Sequence, residues 1–289
     1  MDSNEIISST YPALIKGLFN ADAYPHETGA IRLIETHLSW VLLAGQYGYK
    51  IKKPVNFGFL DFSTLDKRRH YCHEELRLNQ RLAKDRYLDV VPITGQIQHP
   101  KMDVTGDAIE YAVKMRQFPS PKTLKESADS GELKSETIDQ VTQIVADFHG
   151  TIEKAEEQSP YGDSQDIKHW FDENFHHIKP LLDDKHQLSQ LEGIASWGNN
   201  EWQDKSPLMQ RRKQDGFVRE CHGDLHLGNM ALIDGKVVIF DCIEFNPSLR
   251  WIDVISEVAF LVMDLLHLGY DGYAYRFLNR YLQHTGDYN

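Results

Sequence analysis

The run His222-Gly223-Asp224-Leu225-His226-Leu227-Gly228-Asn229 puts a carboxylate and a carboxamide five positions apart in a glycine-bearing loop. After a turn at Asp234-Gly235 comes the strand-like run Lys236-Val237-Val238-Ile239-Phe240, which ends on a second carboxylate, Asp241. Phosphoryl transfer from ATP uses one carboxylate to accept the hydroxyl proton, and an amide oxygen with another carboxylate to hold magnesium beside the phosphates. Asp224, Asn229 and Asp241 supply those groups in that order. Singly, each is a common turn residue; the fixed spacing with a strand between makes the trio specific. His222, Asp224 and His226 also alternate, which admits a second chemistry, a metal-dependent hydrolase with histidine and carboxylate ligands. No further cluster with tight ligand spacing accompanies them, and pairs such as His176-His177 read as solvated helix residues.

Protein kinase catalytic loops read His-Arg-Asp with an asparagine five residues after the aspartate; here Gly223 stands in place of the arginine. In this form, with a following strand that ends in Asp241, the motif resembles the aminoglycoside phosphotransferase family. That kinase-like group includes small-molecule kinases for antibiotics, choline and related alcohols. The resemblance implies Asp224 as catalytic base, Asn229 and Asp241 as magnesium ligands, and His222 as a loop-bracing residue. It also implies that Asp253, at a helix start, braces the catalytic loop, a place where an ordinary capping aspartate would equally sit.

The elements that must position these groups divide into a strand-rich and a helical part. Ile31–Ile34, Ser39–Leu43 and Tyr47–Lys52 read as strands, the last two joined by a turn at Ala44-Gly45-Gln46. Thr64 to Lys84 reads as a helix with Ser63 or Thr64 as N-cap, and Val90–Gln98 and Ile109–Gln117 return to strand character. After Pro119-Ser120-Pro121 long helices begin: one near Ser135, with Ile138, Val141, Val145, Phe148 and Ile152 at helical spacing, and one over Asp166–Leu182. The expected fold is therefore α+β and bilobal, protein-kinase-like, with a small β-rich N-lobe carrying one helix (1–118) and a mostly helical catalytic C-lobe (119–289). Phe118 to Pro121 is the expected hinge.

Kinases place a lysine on the third strand to bind the α- and β-phosphates, paired to a glutamate on the next helix. Lys50 and Lys52 share a strand face. Tyr47-Gly48-Tyr49-Lys50 fits the pattern apolar, small, apolar, lysine, with Gly48 leaving room for adenine, so Lys50 is favoured and Lys52 is second. Of Glu74 and Glu75 on the helix, the spacing to Arg77-Leu78-Asn79 in related kinases favours Glu74 as the partner. Adenine is expected at the backbone near Met115 and Gln117. No GxxxxGK[ST] occurs, which excludes a Walker-type ATPase in this chain. No GxGxxG occurs either, so the first hairpin, Thr36 to Ser39, would have to cover the phosphates. The run from Ile243 to Asp253 lacks an Ala-Pro-Glu ending, which favours a small-molecule acceptor over a protein.

A net charge of -12 argues against nucleic acid as a partner and would suit a cationic substrate. Cys72, Cys221 and Cys242 form no CxxC pair, so a reducing, cytoplasmic setting is expected. The apolar run from Ile252 to Leu268 carries Asp253, Glu257 and Asp264, against membrane insertion. The expected activity is ATP- and magnesium-dependent phosphorylation of a small-molecule hydroxyl. A second expectation is an ATP-sensing module. The chain stops soon after a helix around Tyr273–His284, where the family continues, and a domain like this can precede a P-loop ATPase in a longer protein.

Overall fold

The computed structural model describes residues 10–118 and 122–288; the Pro119-Ser120-Pro121 part of the expected hinge lies outside them. Two compact units make up the chain: residues 1–127 with 228–246, and residues 128–227 with 247–289. The boundary read at 118/119 thus differs from the observed division. The segment carrying Asn229 and Asp241 returns to the N-terminal unit, because its hairpin packs on that unit's helix rather than among the C-terminal helices.

In the first unit, β1 (Arg32–Glu35), β2 (Ser39–Ala44), β3 (Tyr47–Lys52), β4 (Tyr87–Gln96), β5 (His99–Met102) and β6 (Glu110–Arg116) form one antiparallel sheet in the order β1-β2-β3-β6-β4-β5. Alternation along β3 decides what each face does. Tyr49 and Ile51 point with Leu42, Val91, Ile93 and Ala112 into a core closed by Ile15 of the short helix α1 (Ala13–Gly17) and by Leu18, Ala23 and Tyr24. Gly48, Lys50 and Lys52 belong to the opposite face, where α2 (Leu65–Ala83) lies. Thr64 caps α2 by accepting from Lys67 N at 3.3 Å, and Cys72 and Ala83 pack on Val113 and Tyr87 beneath it. Val238 and Phe240 pack onto the same cluster. They come from the hairpin β8 (Met230–Ile233) and β9 (Lys236–Ile239), whose turn residues Asp234 and Gly235 both have positive φ, 50° and 76°. That pair of left-handed residues matches the right-handed twist of a two-residue hairpin.

The short helix α3 (Leu124–Asp129) leads along the chain into the second unit, which is mostly helical. Its core is α4 (Ser135–Thr151), α7 (Val254–His267) and α8 (Asp271–Thr285), with Ile138, Val141, Val145, Val258, Leu261, Leu265, Ala274 and Phe277 buried. A second pair, α5 (Ser164–Ile178) and the 30-residue α6 (Lys185–Gln214), packs closely enough that a Cβ on Gly198 would stand 2.2 Å from the Phe171 ring. β7 (Val218–Glu220) pairs with β10 (Trp251–Asp253) and brackets the segment that carries Asp224. The α+β layout read from the sequence, a small sheet with one helix followed by a mostly helical part, is present. No helix among the described residues is long and apolar enough to cross a membrane.

Candidate active site

Lys50 Nζ lies 2.6 Å from Asp241 Oδ1 and 2.8 Å from Glu75 Oε1. Two residues on, and so on the same face, Lys52 Nζ lies 2.7 Å from Glu75 Oε2 and also pairs with Glu244. Glu75 is 0% exposed and bridges the two ammonium groups. The partner expected at Glu74 is therefore corrected to Glu75. On α2, Glu75 shares the buried face of Arg68, Cys72, Leu78 and Asn79, whereas Glu74 is turned about 100° away and pairs with the exposed Arg77 at 2.9 Å. Lys50 and Lys52 differ in setting. Lys52 is 1% exposed and closed between two carboxylates, while Lys50 reaches Asp241, whose side chain is 45% exposed.

Burial alone would drive Lys50 neutral, but Asp241, Glu75 and Glu244 outweigh it and hold its pKa well above the ordinary lysine value. Burial likewise opposes the charge on Glu75, yet Lys50 and Lys52 keep its carboxyl below the usual range. For Glu244 burial wins and raises the carboxyl, despite Lys52. Burial, followed by the fields of Asp241 and Glu75, raises the Tyr87 phenol. Three carboxylates face two ammonium groups, which leaves an excess negative charge with its exposed end at Asp241.

The hairpin places the two residues expected to hold a metal. Asn229 directly precedes β8, and Phe240 N donates to Asn229 O at 3.0 Å, so Asn229 and Asp241 emerge at one end of the β8–β9 pair. Asp241 sits at φ 67°, a left-handed conformation uncommon for a non-glycine residue. The next peptide is pinned: Cys242 N donates to Asn79 Oδ1 at 3.0 Å, and Asn79 Nδ2 donates to Glu75 O at 2.9 Å. Asn79 thereby ties the backbone after Asp241 to the helix that carries Glu75. An amide oxygen and a half-exposed carboxylate in a net-negative setting are the hard oxygen donors that magnesium takes, so these residues fit that ion.

On the adenine side, Met115 stands opposite Gly48 in the sheet, and Gln117 N donates to Gln46 O at 2.9 Å. The turn between β1 and β2 is closed on itself. Thr36 N donates to Ser39 O at 2.9 Å, and Leu38 N and Ser39 N donate to Thr36 Oγ1 at 3.3 and 3.0 Å. Those three amides are engaged within the turn rather than presented to a phosphate.

In the second unit the Asp224 loop is fastened to α7 by two acids seven residues apart, hence on one helix face. Gly223 N donates to Glu257 Oε1 at 2.6 Å and Leu227 N donates to Asp264 Oδ2 at 2.9 Å. Gly223 has φ 88°, and a Cβ there would stand 2.9 Å from Leu249 O, so glycine is required for both conformation and space. His222 is fully buried, and its Nδ1 accepts from Asp224 N at 3.2 Å. His226 Nε2 lies 3.4 Å from Asp224 Oδ2, and the hydrogen bond to that carboxylate raises the imidazole pKa despite partial burial. Asp253 does not brace this loop. It caps α7 through Ile255 N at 3.0 Å and pairs with Arg212 at 2.7 Å. The bracing acids Glu257 and Asp264 went unnoticed in the sequence, where they register only as charges within an apolar run.

His222 and His226 each pair with Asp224, and among the described residues the three belong to no group of ligand atoms close enough for a metal. Among the described residues the group whose ligand atoms approach closely enough for a metal is the buried His149, Cys221 and Glu257. There both His149 nitrogens and both Glu257 carboxylate oxygens are already in hydrogen bonds at 2.6–2.8 Å.

No family model matches the chain. It is 29% identical over 267 residues to uncharacterized proteins of Mycobacterium tuberculosis and Mycobacterium bovis, covering 92% of this chain and 52% of theirs. Similar solved structures include a glucosamine kinase (TM-score 0.40, 13% identity, 99% of this chain and 88% of that one). Another is a choline/ethanolamine kinase family protein from Mesorhizobium loti (TM-score 0.46, 12%, 90% and 71%). A third is an ADP-bound aminoglycoside phosphotransferase (TM-score 0.43, 14%, 90% and 78%). The chain spans about half the length of the curated relatives it matches.

Proposed function

We propose that the chain is a phosphotransferase that moves the γ-phosphoryl group of ATP to a hydroxyl of a small molecule. The observation that carries this reading is Lys50 Nζ held between Glu75 and Asp241, with Asn229 at the same hairpin end as Asp241. Lys50 contacts the α- and β-phosphates, and Met115 and Gln117 meet adenine through their backbone. Asn229 and Asp241 hold magnesium, which neutralises charge on the phosphates when bound. Asp224 accepts the proton of the acceptor hydroxyl, with its Oδ2 3.4 Å from His226 Nε2. Catalysis of this type consists of positioning and charge stabilisation rather than covalent chemistry. A net charge of -12 supports a small-molecule acceptor rather than nucleic acid, and three buried cysteines outside any disulfide accord with a cytoplasmic setting.

The test is calorimetric titration of ATP with and without magnesium, for the wild type, Asp241→Ala and Asp224→Asn. The expected result is magnesium-dependent binding that Asp241→Ala weakens at least about tenfold and Asp224→Asn leaves within twofold. Transfer to hydroxyl acceptors should fall by about 10²–10⁴ in Asp224→Asn. Wild type that binds no ATP refutes the proposal. Full transfer by Asp224→Asn refutes the role of Asp224, and binding without transfer to any acceptor leaves the chain a nucleotide sensor.

A further inference from the structure

Behind the Asp224 loop runs a buried polar relay that phosphoryl transfer does not itself require. Tyr281 OH on α8 lies 2.8 Å from His149 Nδ1 on α4. His149 Nε2 lies 2.8 Å from Glu257 Oε2 on α7, and Glu257 Oε1 accepts from Gly223 N at 2.6 Å. Tyr281, His149 and Glu257 are all at most 2% exposed. One assignment of hydrogens satisfies every member: Tyr281 O–H donates to Nδ1, Nε2–H donates to the carboxylate, and the Gly223 amide donates to its other oxygen. The imidazole is thereby fixed as one tautomer.

Other groups close round the ring. The Arg219 guanidinium donates to the His149 carbonyl, Cys221 Sγ is within 4.8 Å of the His149–Glu257 ligand atoms, and the His222 imidazole acts on Glu257. Burial opposes the Glu257 charge, but His149, His222 and the Gly223 amide together keep the carboxyl below the ordinary glutamate range. The far end of α8 is fixed independently. Arg212 binds Asp287 at 2.7 Å and Asp253, the α7 cap, at 2.7 Å. Both ends of the relay thus rest on restrained helices, and its output is the peptide immediately ahead of Asp224.

We propose that His149 and Tyr281 are positioning residues for Asp224, fixing through Glu257 the Gly223 amide and with it the direction of the Asp224 carboxylate. The proposal rests on the reading of Asp224 as proton acceptor. Neither residue touches substrate. A buried carboxylate bonded on one side only can rotate, and the glycine at φ 88° gives the loop no steric stop of its own on the side-chain side.

The test uses the full chain with Tyr281→Phe, which keeps the ring packed on Phe277 and deletes only the hydroxyl, and with His149→Gln. Two readouts are taken on each variant that shares the wild-type melting temperature within a few degrees. The first is amide hydrogen exchange of the segment 222–227, expected to quicken at least fivefold while the β3 and α2 segments stay unchanged. The second is hydrolysis of Mg·ATP without added acceptor, expected to lose about tenfold in kcat with the KM for ATP within twofold. Unaltered exchange at 222–227 in both variants overturns the proposal, whatever the turnover. Quickened exchange with unchanged kcat in a wild type that hydrolyses ATP also overturns it, since the relay would then hold the loop without directing Asp224. A wild type that neither binds nor hydrolyses Mg·ATP refutes the phosphotransferase reading and the role of Asp224 together, and the exchange result then reports loop anchoring alone.

Discussion

Replacing Glu75 by alanine should damage the protein far more than replacing its neighbour Glu74, although the two are adjacent and alike in sequence. Glu75 is fully buried and touches two ammonium groups at 2.8 and 2.7 Å. Removing one partner of a buried ion pair leaves uncompensated charge and typically costs about 3–5 kcal/mol. Lys50 keeps Asp241 and Lys52 keeps Glu244, so the low end, about 3 kcal/mol, is expected. In a chain of this size about 1 kcal/mol moves the melting temperature by about 2–4 °C, which gives a fall of about 6–12 °C. Glu74 forms an exposed i,i+3 pair with Arg77, worth about 0.2–0.5 kcal/mol, and its loss should move the midpoint by about 2 °C at most. The assay is thermal unfolding at pH 7 followed by circular dichroism, with Glu75→Gln as a volume control. Equal shifts for the two alanine variants, or a Glu75→Ala shift under 2 °C, would refute the claim that Glu75 neutralises the lysine pair.

Two further outcomes are expected. Gly223→Ala forces a side chain into a left-handed backbone and against Leu249 O; a loss of about 1–2 kcal/mol together with loss of phosphoryl transfer should follow, and a wild-type urea midpoint would count against this geometry. The pH dependence of Glu257 has a definite sign. Its folded pKa lies below the ordinary glutamate value, so its contribution is fully present above the unfolded pKa of about 4.3 and is lost as pH falls through the folded value. The stability gap between wild type and Glu257→Gln, read from urea midpoints at pH 7 and pH 3.5, should narrow at the lower pH; a constant gap contradicts the shift.

Much of the framework could be read from residue order. The sequence marks strand β3 at Tyr47–Lys52, helix α2 with Ser63 or Thr64 as its cap, of which Thr64 is the one observed, and the hairpin turn at Asp234-Gly235. These signals are local, set by alternation, capping and left-handed turn residues. The choice between Glu74 and Glu75 was not local. It depends on which stripe of α2 the sheet covers, and one residue of phase decides between burial and solvent. The short edge strand His99–Met102 carries Pro100 and gives little strand pattern. Helix α6 buries only Leu191, Arg212 and Lys213 and contains Pro207, so apolar spacing could not announce its 30 residues. The loop anchors Glu257 and Asp264 were hidden for the opposite reason, as acids turned inward from an apolar helix.

The order in which the chain is made bears on Lys50 and Lys52. Their second partners, Asp241 and Glu244, lie 191 and 192 positions further along. The sheet is complete in sequence by Arg116, yet the segment that finishes its unit begins only at Gly228, after the whole intervening stretch 128–227. At a synthesis rate of about 5–20 residues per second, the half-built unit waits on the order of ten seconds. Through that interval two ammonium groups face one another with Glu75 alone between them, and the apolar seat of Val238 and Phe240 on Val113 and Tyr87 stays uncovered. Asp241 and Glu244, the second partners of the lysine pair, are among the last residues of their unit to leave the ribosome.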